Sequence, residues 1–341
     1  MAGAKFLLVL LYLFFKSSRS SLLDRNLDIS HEFELFIKNY NRSYENDAEE
    51  LKIRKKYFAQ NLLNLAISNV TEKEGGAIYG ITSFMDWSQE EKKAILLDPK
   101  SMPEKNCTWV YQNSGNSMKN SNVDWRNTGA VNDVRNQGQC GSCWAFAVTA
   151  AVEVQENYWS DRTGSKRIAY SEQYLIDCTD AGSCKGGRPQ KALEQIKKKG
   201  FVRQSELPYD AKKEECPLHL HFEFPVNGVY EMTGNVDYIL DWVENIGPVT
   251  ATFRVCEDFF SYTGGLYSRD CRSGGYHAVT IIGYGTSGGV DYWLARNSWG
   301  KSWGEAGYFK IKRGADLCGF ESIENLTVMI KMHKDLHCSA L

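Results

Sequence analysis

From residue 143 the chain is written for helices, and after Pro225 it is written for strands. Ser142 stands at a cap position, and small or apolar residues follow at Ala145, Phe146, Val148, Ala151 and Val152. Together they predict a helix from Cys143 to Trp159. Shorter helices are predicted over 172–177 and 189–198. Beyond Pro225 come 249–255, 278–282, 291–295 and 307–311, rich in β-branched and aromatic residues and separated by Gly-rich turns. These read as strands. The two periods demand different partners, so the pattern predicts an α+β fold with a helical half and a sheet half. The cleft between two such halves is a natural place for a site.

Upstream of this body the chain is organised differently. Lys5, the apolar run from Phe6 to Phe15 and the polar stretch 16–21 read as an export leader over residues 1–20. The run is about half the roughly 20 residues that a membrane span requires. No later stretch is long and apolar enough to serve as an anchor. Residues 30–70 are charged and helical in pattern, with Phe33, Phe36, Ile37 and Tyr40 on one side. A second helix is predicted over 47–70, where Glu50, Arg54, Phe58, Asn61, Leu65 and Asn69 fall at intervals of three or four. That spacing lets Glu50 pair with Arg54 while Phe58 and Leu65 pack below. Such a helix needs a partner surface. Residues 98–121 turn to Pro, Ser, Asn, Lys and Gly without periodicity, as in an exposed, cleavable linker.

Ten cysteines behind an export leader point to an oxidising compartment and a disulfide framework. Sequons at Asn41, Asn69, Asn106 and Asn325 mark possible glycosylation sites in that setting. The 43% hydrophobic content and net charge of −2 suit a soluble protein with no nucleic-acid stripe. No Cys/His cluster has metal-ligand spacing.

A thiol is a nucleophile only as its thiolate, and a helix N-terminus favours that anion. Cys143 stands at such a start. His277 and Asn297 are candidates for a base and for the group that orients it, and Gln137 for an oxyanion donor. Each residue has a duller role open to it: a buried half-cystine, a structural histidine, a turn-forming asparagine. Cys140 and Cys143 also read as a Cys-x-x-Cys redox pair.

The segment Gln137-Gly-Gln-Cys-Gly-Ser-Cys-Trp-Ala-Phe146 resembles the papain family of cysteine proteases. So do Val123-Asp-Trp-Arg126, Ser183-Cys-Lys-Gly-Gly187, Tyr276-His277-Ala278 and Asn297-Ser-Trp-Gly-Lys-Ser-Trp-Gly304. The resemblance implies a papain-like two-domain fold: a helical left domain and a β-barrel-like right domain, spanning 119–341. It implies roles for Cys143 as nucleophile, His277 as base and then acid, Asn297 as orienter and Gln137 as oxyanion donor. Trp299 would shield the imidazole contact, and Gly186 and Gly187 would pair with extended substrate. Arg188, Pro189, Thr252, Gly275, Ala278 and Ile323 would line the pocket for the second residue before the cut, with apolar preference.

Glu50, Arg54, Phe58, Asn61, Leu65 and Asn69 are similar to the pro-segment helix of the cathepsin L-like branch, and Gly80-x-Thr-x-Phe-x-Asp86 to its companion motif. Residues 21–118 are thus expected to be an inhibitory propeptide and linker, with the mature enzyme starting at 119–122. The resemblance also implies the disulfides Cys140–Cys184, Cys178–Cys216 and Cys271–Cys318. It leaves Cys107, Cys256 and Cys338 open: Cys256 with Cys338, or either with Cys107. No cofactor is implied. The expected partners are peptide substrates, the chain's own propeptide and cystatin-type inhibitors, for a monomer that ends in the lysosome or outside the cell.

The chain departs from the family pattern in places. Tyr276 precedes His277 where relatives carry Asp or Asn, which bears on pH optimum. Residues 103–108 resemble the retained peptide of cathepsin H, so an aminopeptidase keeping a Cys107 peptide is one alternative to an endopeptidase. A catalytically inactive papain-like binding protein is another.

Overall fold

A computed structural model describes residues 21–72, 74–97, 121–226, 228–231, 236–321 and 328–331. The described residues open with two helices, α1 (Ser21–Asn39) and α2 (Ala48–Thr71). Asp47 caps α2 by accepting the N–H groups of Glu49 and Glu50. Phe33 and Phe36 pack against Phe58, with ring centroids 5.3 and 5.0 Å apart. The polar members of the predicted face work as a set. Arg54 pairs with Glu50 and Glu91, each at 2.7 Å. Asn61 donates its amide to the carbonyls of Met85 and Trp87, each at 2.9 Å. A short strand, β1 (Ala77–Tyr79), and α3 (Gln89–Ala94) follow. The latter starts on a reciprocal Ser88–Glu91 capping box.

The helical half is built around α4 (Cys143–Trp159), which is buried along almost its whole length. A helix apolar on every side belongs in the middle of a core. Around it lie α5 (Glu172–Cys178) and α6 (Pro189–Lys199). Arg135 bridges Glu153 of α4, at 2.5 Å, to Glu172 of α5, so these buried carboxylates share one cation. A tight ladder, β3 (Gly182–Ser183) with β4 (Gly186–Gly187), lies beside Trp144.

The sheet half contains β2 (Val123–Asp124), β5 (Gly228–Glu231), β6 (Val249–Val255), β7 (Tyr262–Tyr267), β8 (Gly275–Ser287), β9 (Val290–Arg296) and β10 (Tyr308–Lys312). A further helix, α7 (Val236–Asn245), packs on this half and buries Ile239, Leu240, Trp242 and Val243. Its apolar stripe was in the sequence, but the turn to strand character after Pro225 hid it. Strands β6, β8, β9 and β10 are joined antiparallel in that spatial order, and β10 runs parallel to β7. Strand β1 completes the edge by pairing antiparallel with β7. The two halves meet where Thr280 of β8 donates its hydroxyl to the Ala147 carbonyl of α4, at 3.0 Å.

Disulfides join Cys140 to Cys184 and Cys178 to Cys216 in the helical half. The third corrects the expectation for Cys271: it is bonded to Cys256, and Cys318 is a buried free thiol. The register explains the choice. Cys256 follows the end of β6 and Cys271 precedes the start of β8, and these ends are paired at Val255 and Gly275. Cys107 and Cys338 lie outside the described residues.

Candidate active site

Cys143 is the first residue of α4, with Ser142 at the cap position. The Ser142 side chain does not cap the helix as the sequence suggests; its hydroxyl lies 2.7 Å from that of Tyr209. The backbone N–H groups of Cys143 and Trp144 therefore face the Cys143 sulphur, which also accepts the N–H of Ala278 at 3.4 Å. Three donors converge where an anion would form.

His277 lies on β8 just before Ala278, whose N–H meets the Cys143 sulphur, and it is fully buried. Asn297 holds the ring through Oδ1, 2.7 Å from Nε2. The same Oδ1 accepts the Ser298 N–H at 2.7 Å. A backbone N–H can only donate, so the atom facing Nε2 is an acceptor and Nε2 carries the proton. Nδ1 is then an unprotonated acceptor, buried and without a hydrogen bond. Trp299 covers the pair, its ring 4.6 Å from that of His277.

Gln137 is fully buried. Its Oε1 accepts the Ser298 hydroxyl at 2.6 Å. That fixes the amide so that Nε2 donates to the carbonyls of Cys140, at 2.9 Å, and Ile95, at 3.0 Å. Ser298 and Tyr209, whose hydroxyl donates to the Gln137 carbonyl at 2.7 Å, were missed as site residues. Ser298 stood inside the Asn297-Ser-Trp-Gly motif. Tyr209 stood in no pattern at all.

The segment after α3 crosses this gap. Leu97 donates its N–H to the Tyr276 carbonyl at 2.7 Å, and Leu96 lies against Gly275. Ile95 and Leu97 are buried. Under that cover burial pushes the Cys143 thiol up to about 12, despite the backbone donors. Burial also presses His277 down to about 4, against the opposing pull of Asn297. Thiol and imidazole are thus both neutral in the covered molecule.

Thr252 and Ala278 face each other across β6 and β8, with Gly275 near by. Gly187 cannot carry a side chain, because a Cβ would come within 2.4 Å of the Trp144 ring. Arg188 precedes Pro189, which opens α6. Tyr276 is stacked beneath Arg254, whose guanidinium carbon is 4.4 Å from the ring centroid. Ile323, Asn106 and Asn325 lie outside the described residues. Asn41 is exposed, at a positive φ that asparagine tolerates. Asn69 donates its amide to the Leu65 and Tyr79 carbonyls, at 3.1 and 3.3 Å, so a glycan there would cost both bonds. Among the described residues no cluster of three or more His, Cys, Asp or Glu can hold a metal. Among them, too, no helix is long and apolar enough to cross a membrane.

Comparison with known proteins covers nearly the whole chain. Residues 119–328 match the papain family cysteine protease profile, and 33–91 match the cathepsin propeptide inhibitor domain. The chain is 35% identical to pro-cathepsin H of Medicago truncatula, over 87% of this chain and 85% of that one. It is 33% identical to cathepsin F of Mus musculus over 90% of its length, spanning 66% of that longer protein. The structure of digestive procathepsin L 3 from Tenebrio molitor larval midgut superposes with a TM-score of 0.76 at 30% identity. That match covers 89% of this chain and 98% of the beetle protein.

Proposed function

The chain belongs to the papain family of cysteine proteases and carries a cathepsin propeptide inhibitor domain, and from that premise we propose an endopeptidase zymogen with Cys143 as nucleophile. The observation that carries this reading is the hydrogen bond from Gln137 Nε2 to the Ile95 carbonyl, beside Cys143. The amide already holds a peptide carbonyl where an acyl-transfer oxyanion needs a donor. Once the propeptide leaves, water returns to the cleft and the neutral pair relaxes toward thiolate and imidazolium. His277 Nδ1 takes the thiol proton, and the Cys143 thiolate adds to the scissile carbonyl. The developing oxyanion is held by Gln137 Nε2 and the Cys143 N–H. Imidazolium then protonates the leaving amine, giving a thioester, which a water activated by His277 hydrolyses. Asn297 keeps Nε2 protonated and Nδ1 aimed at the sulphur throughout.

Leu96 against Gly275 and the buried Leu97 paired with Tyr276 support a cleft that prefers apolar side chains. A peptide-library profile dominated by Arg at the second residue before the cut would overturn that preference. Cystatin-type inhibitors and a lysosomal or extracellular destination belong to the same reading.

The test is acid incubation of the precursor, N-terminal sequencing and labelling with an epoxide thiol-protease inhibitor. The expected outcome is a new start at 119–122 and a label on Cys143 that Cys143→Ser abolishes. No label after propeptide removal would leave a papain-like binding protein. Cys107 retained in the mature protein would favour the aminopeptidase.

A further inference from the structure

Three cysteines meet beside the surface that holds the propeptide, and two of them are bonded. Cys256 and Cys271 form the disulfide between the end of β6 and the start of β8. Cys318 is a buried free thiol in the turn Leu317–Gly319. Its sulphur accepts the Cys271 N–H at 3.1 Å and donates to the Arg269 carbonyl at 3.3 Å, while Asp270 accepts the Cys318 N–H at 2.8 Å. Cys318 and Asp316 both stand at positive φ, +57° and +44°, a shape that non-glycine residues adopt only under constraint. The turn therefore presses a thiol onto the backbone of a half-cystine. Thiol–disulfide exchange needs that neighbourhood: an attacking sulphur with access to one of two bonded ones.

We propose that Cys256, Cys271 and Cys318 form an exchange site with two interconvertible bonds, Cys256–Cys271 and Cys271–Cys318. The Cys318 thiolate attacks Cys271 Sγ, and the 271–318 bond forms as the 256–271 bond breaks. Cys256 leaves as a thiolate and takes up the proton that Cys318 gave up. No electrons are gained or lost, so no outside oxidant enters the step.

The consequence falls on the propeptide, and this half of the proposal rests on reading the precursor as an inhibited enzyme. Cys256 leads directly into the turn Glu257–Ser261. There Glu257 pairs with Lys92, Asp258 accepts the Tyr79 hydroxyl at 2.9 Å, and the Phe260 carbonyl accepts that of Thr82 at 2.8 Å. A groove of about 620 Å³, lined by Asn64, Ile67 and Ser68 on one side and Cys256 and Gly274 on the other, gives a freed Cys256 room to move. The 256–271 bond ties this turn to the start of β8. The 271–318 bond leaves it untied, so the propeptide is held less firmly. Burial pushes the Cys318 thiol up to about 12, with Asp270 and Asp258 adding to the rise and Arg272 opposing it.

The test uses the full-length Cys143→Ser precursor, which cannot process itself. Free thiols are alkylated after acid quenching and the peptides mapped without reduction, before and after hours of incubation at about pH 8.5, because the raised Cys318 thiol leaves only a small thiolate fraction to react. The expected result is a 256–271 link with Cys318 alkylated, giving way to a 271–318 link with Cys256 alkylated. A single link at every time point, or Cys256 bonded to Cys107 or Cys338, overturns the exchange site. In the same background Cys318→Ser and Cys256→Ser lock the two forms. Hydrogen exchange over 77–97 is expected to be several-fold faster in the Cys256→Ser chain. Equal protection overturns the link to the propeptide, whatever the mapping shows, and neither readout depends on protease activity.

Discussion

Where the propeptide meets the turn Glu257–Ser261 it is held by side chains as well as by the Gly80 N–H on the Ser261 carbonyl, at 2.8 Å, and where it crosses the cleft its hydrogen bonds come from its backbone. At the turn, Lys92 pairs with Glu257, Tyr79 with Asp258, and the Phe84 ring packs edge-on against Phe260 and Trp299 with centroids 5.1 and 4.9 Å away. In the cleft the hydrogen bonds are those of the Ile95 carbonyl on Gln137 and the Leu97 N–H on Tyr276, beside the packing of Leu96 on Gly275. The side-chain contacts of the first set recognise one partner, because each depends on a particular residue. The hydrogen bonds of the second use groups that any peptide carries. A propeptide built this way is selected at the turn and works in the cleft, which it dries.

If selection lies at the turn, Phe84→Ala has the largest effect. Phe84 is buried, and removing such a ring costs about 3–5 kcal/mol. The loss is expected as an earlier unfolding of the propeptide in denaturant titration of the Cys143→Ser precursor, with the sheet half unfolding as before. A change below about 1 kcal/mol would move the main grip to the cleft.

Gln137→Ala separates the two roles of one amide. Loss of an oxyanion donor is expected to lower kcat by roughly 10²–10³-fold. The propeptide loses a single hydrogen bond there, about 1 kcal/mol. Comparable losses in both measurements would make Gln137 a structural residue.

The cleft also sets a pH dependence. The docked state holds His277 at about 4, against an ordinary value of 6.5. Freed of its cover, the imidazole takes up a proton as pH falls past 6.5, whereas the docked one does not until about 4. Docking from this source is therefore undiminished above 6.5 and weakens as pH falls toward 4, by up to about 3 kcal/mol. Release followed by susceptibility of the propeptide to an added protease is expected to track this window in Cys143→Ser and to flatten across it in Cys143→Ser/His277→Ala.

The parts legible in the sequence were those in which one local pattern decides. The start of α4 at Cys143 and the face from Glu50 to Asn69 follow from spacing, and the strand 249–255 from its β-branched run. The family resemblance, rather than spacing, brought His277, Asn297 and Gln137 together. What stayed hidden depends on register between distant elements. Cys256 faces Cys271 because β6 and β8 pair as they do, and no count of cysteines contains that information. Tyr209 reaches the Gln137 carbonyl from a loop without periodicity. The drying of the cleft is a property of the closed precursor as a whole.

The smallest effect tests the side-chain grip at its wettest point. Arg54 joins Glu50 on its own helix to Glu91 of α3, and it is partly exposed, so the pair is screened. Burial alone would raise the Glu91 carboxyl, but Arg54 and the Ser88 N–H more than offset it and hold it below its ordinary value. A carboxyl held low contributes stability above its ordinary range and loses it as pH falls through the folded value. Arg54→Met and acid therefore remove the same interaction. At neutral pH the substitution is expected to cost about 1 kcal/mol of propeptide stability, less in high salt. As pH falls the gap between the two chains should narrow, measured as the midpoint of propeptide unfolding in the Cys143→Ser background. A gap unchanged by acid would mean that Arg54 acts through the packing of its stem and its bond to the Asp86 carbonyl, leaving the charge without a part in the grip.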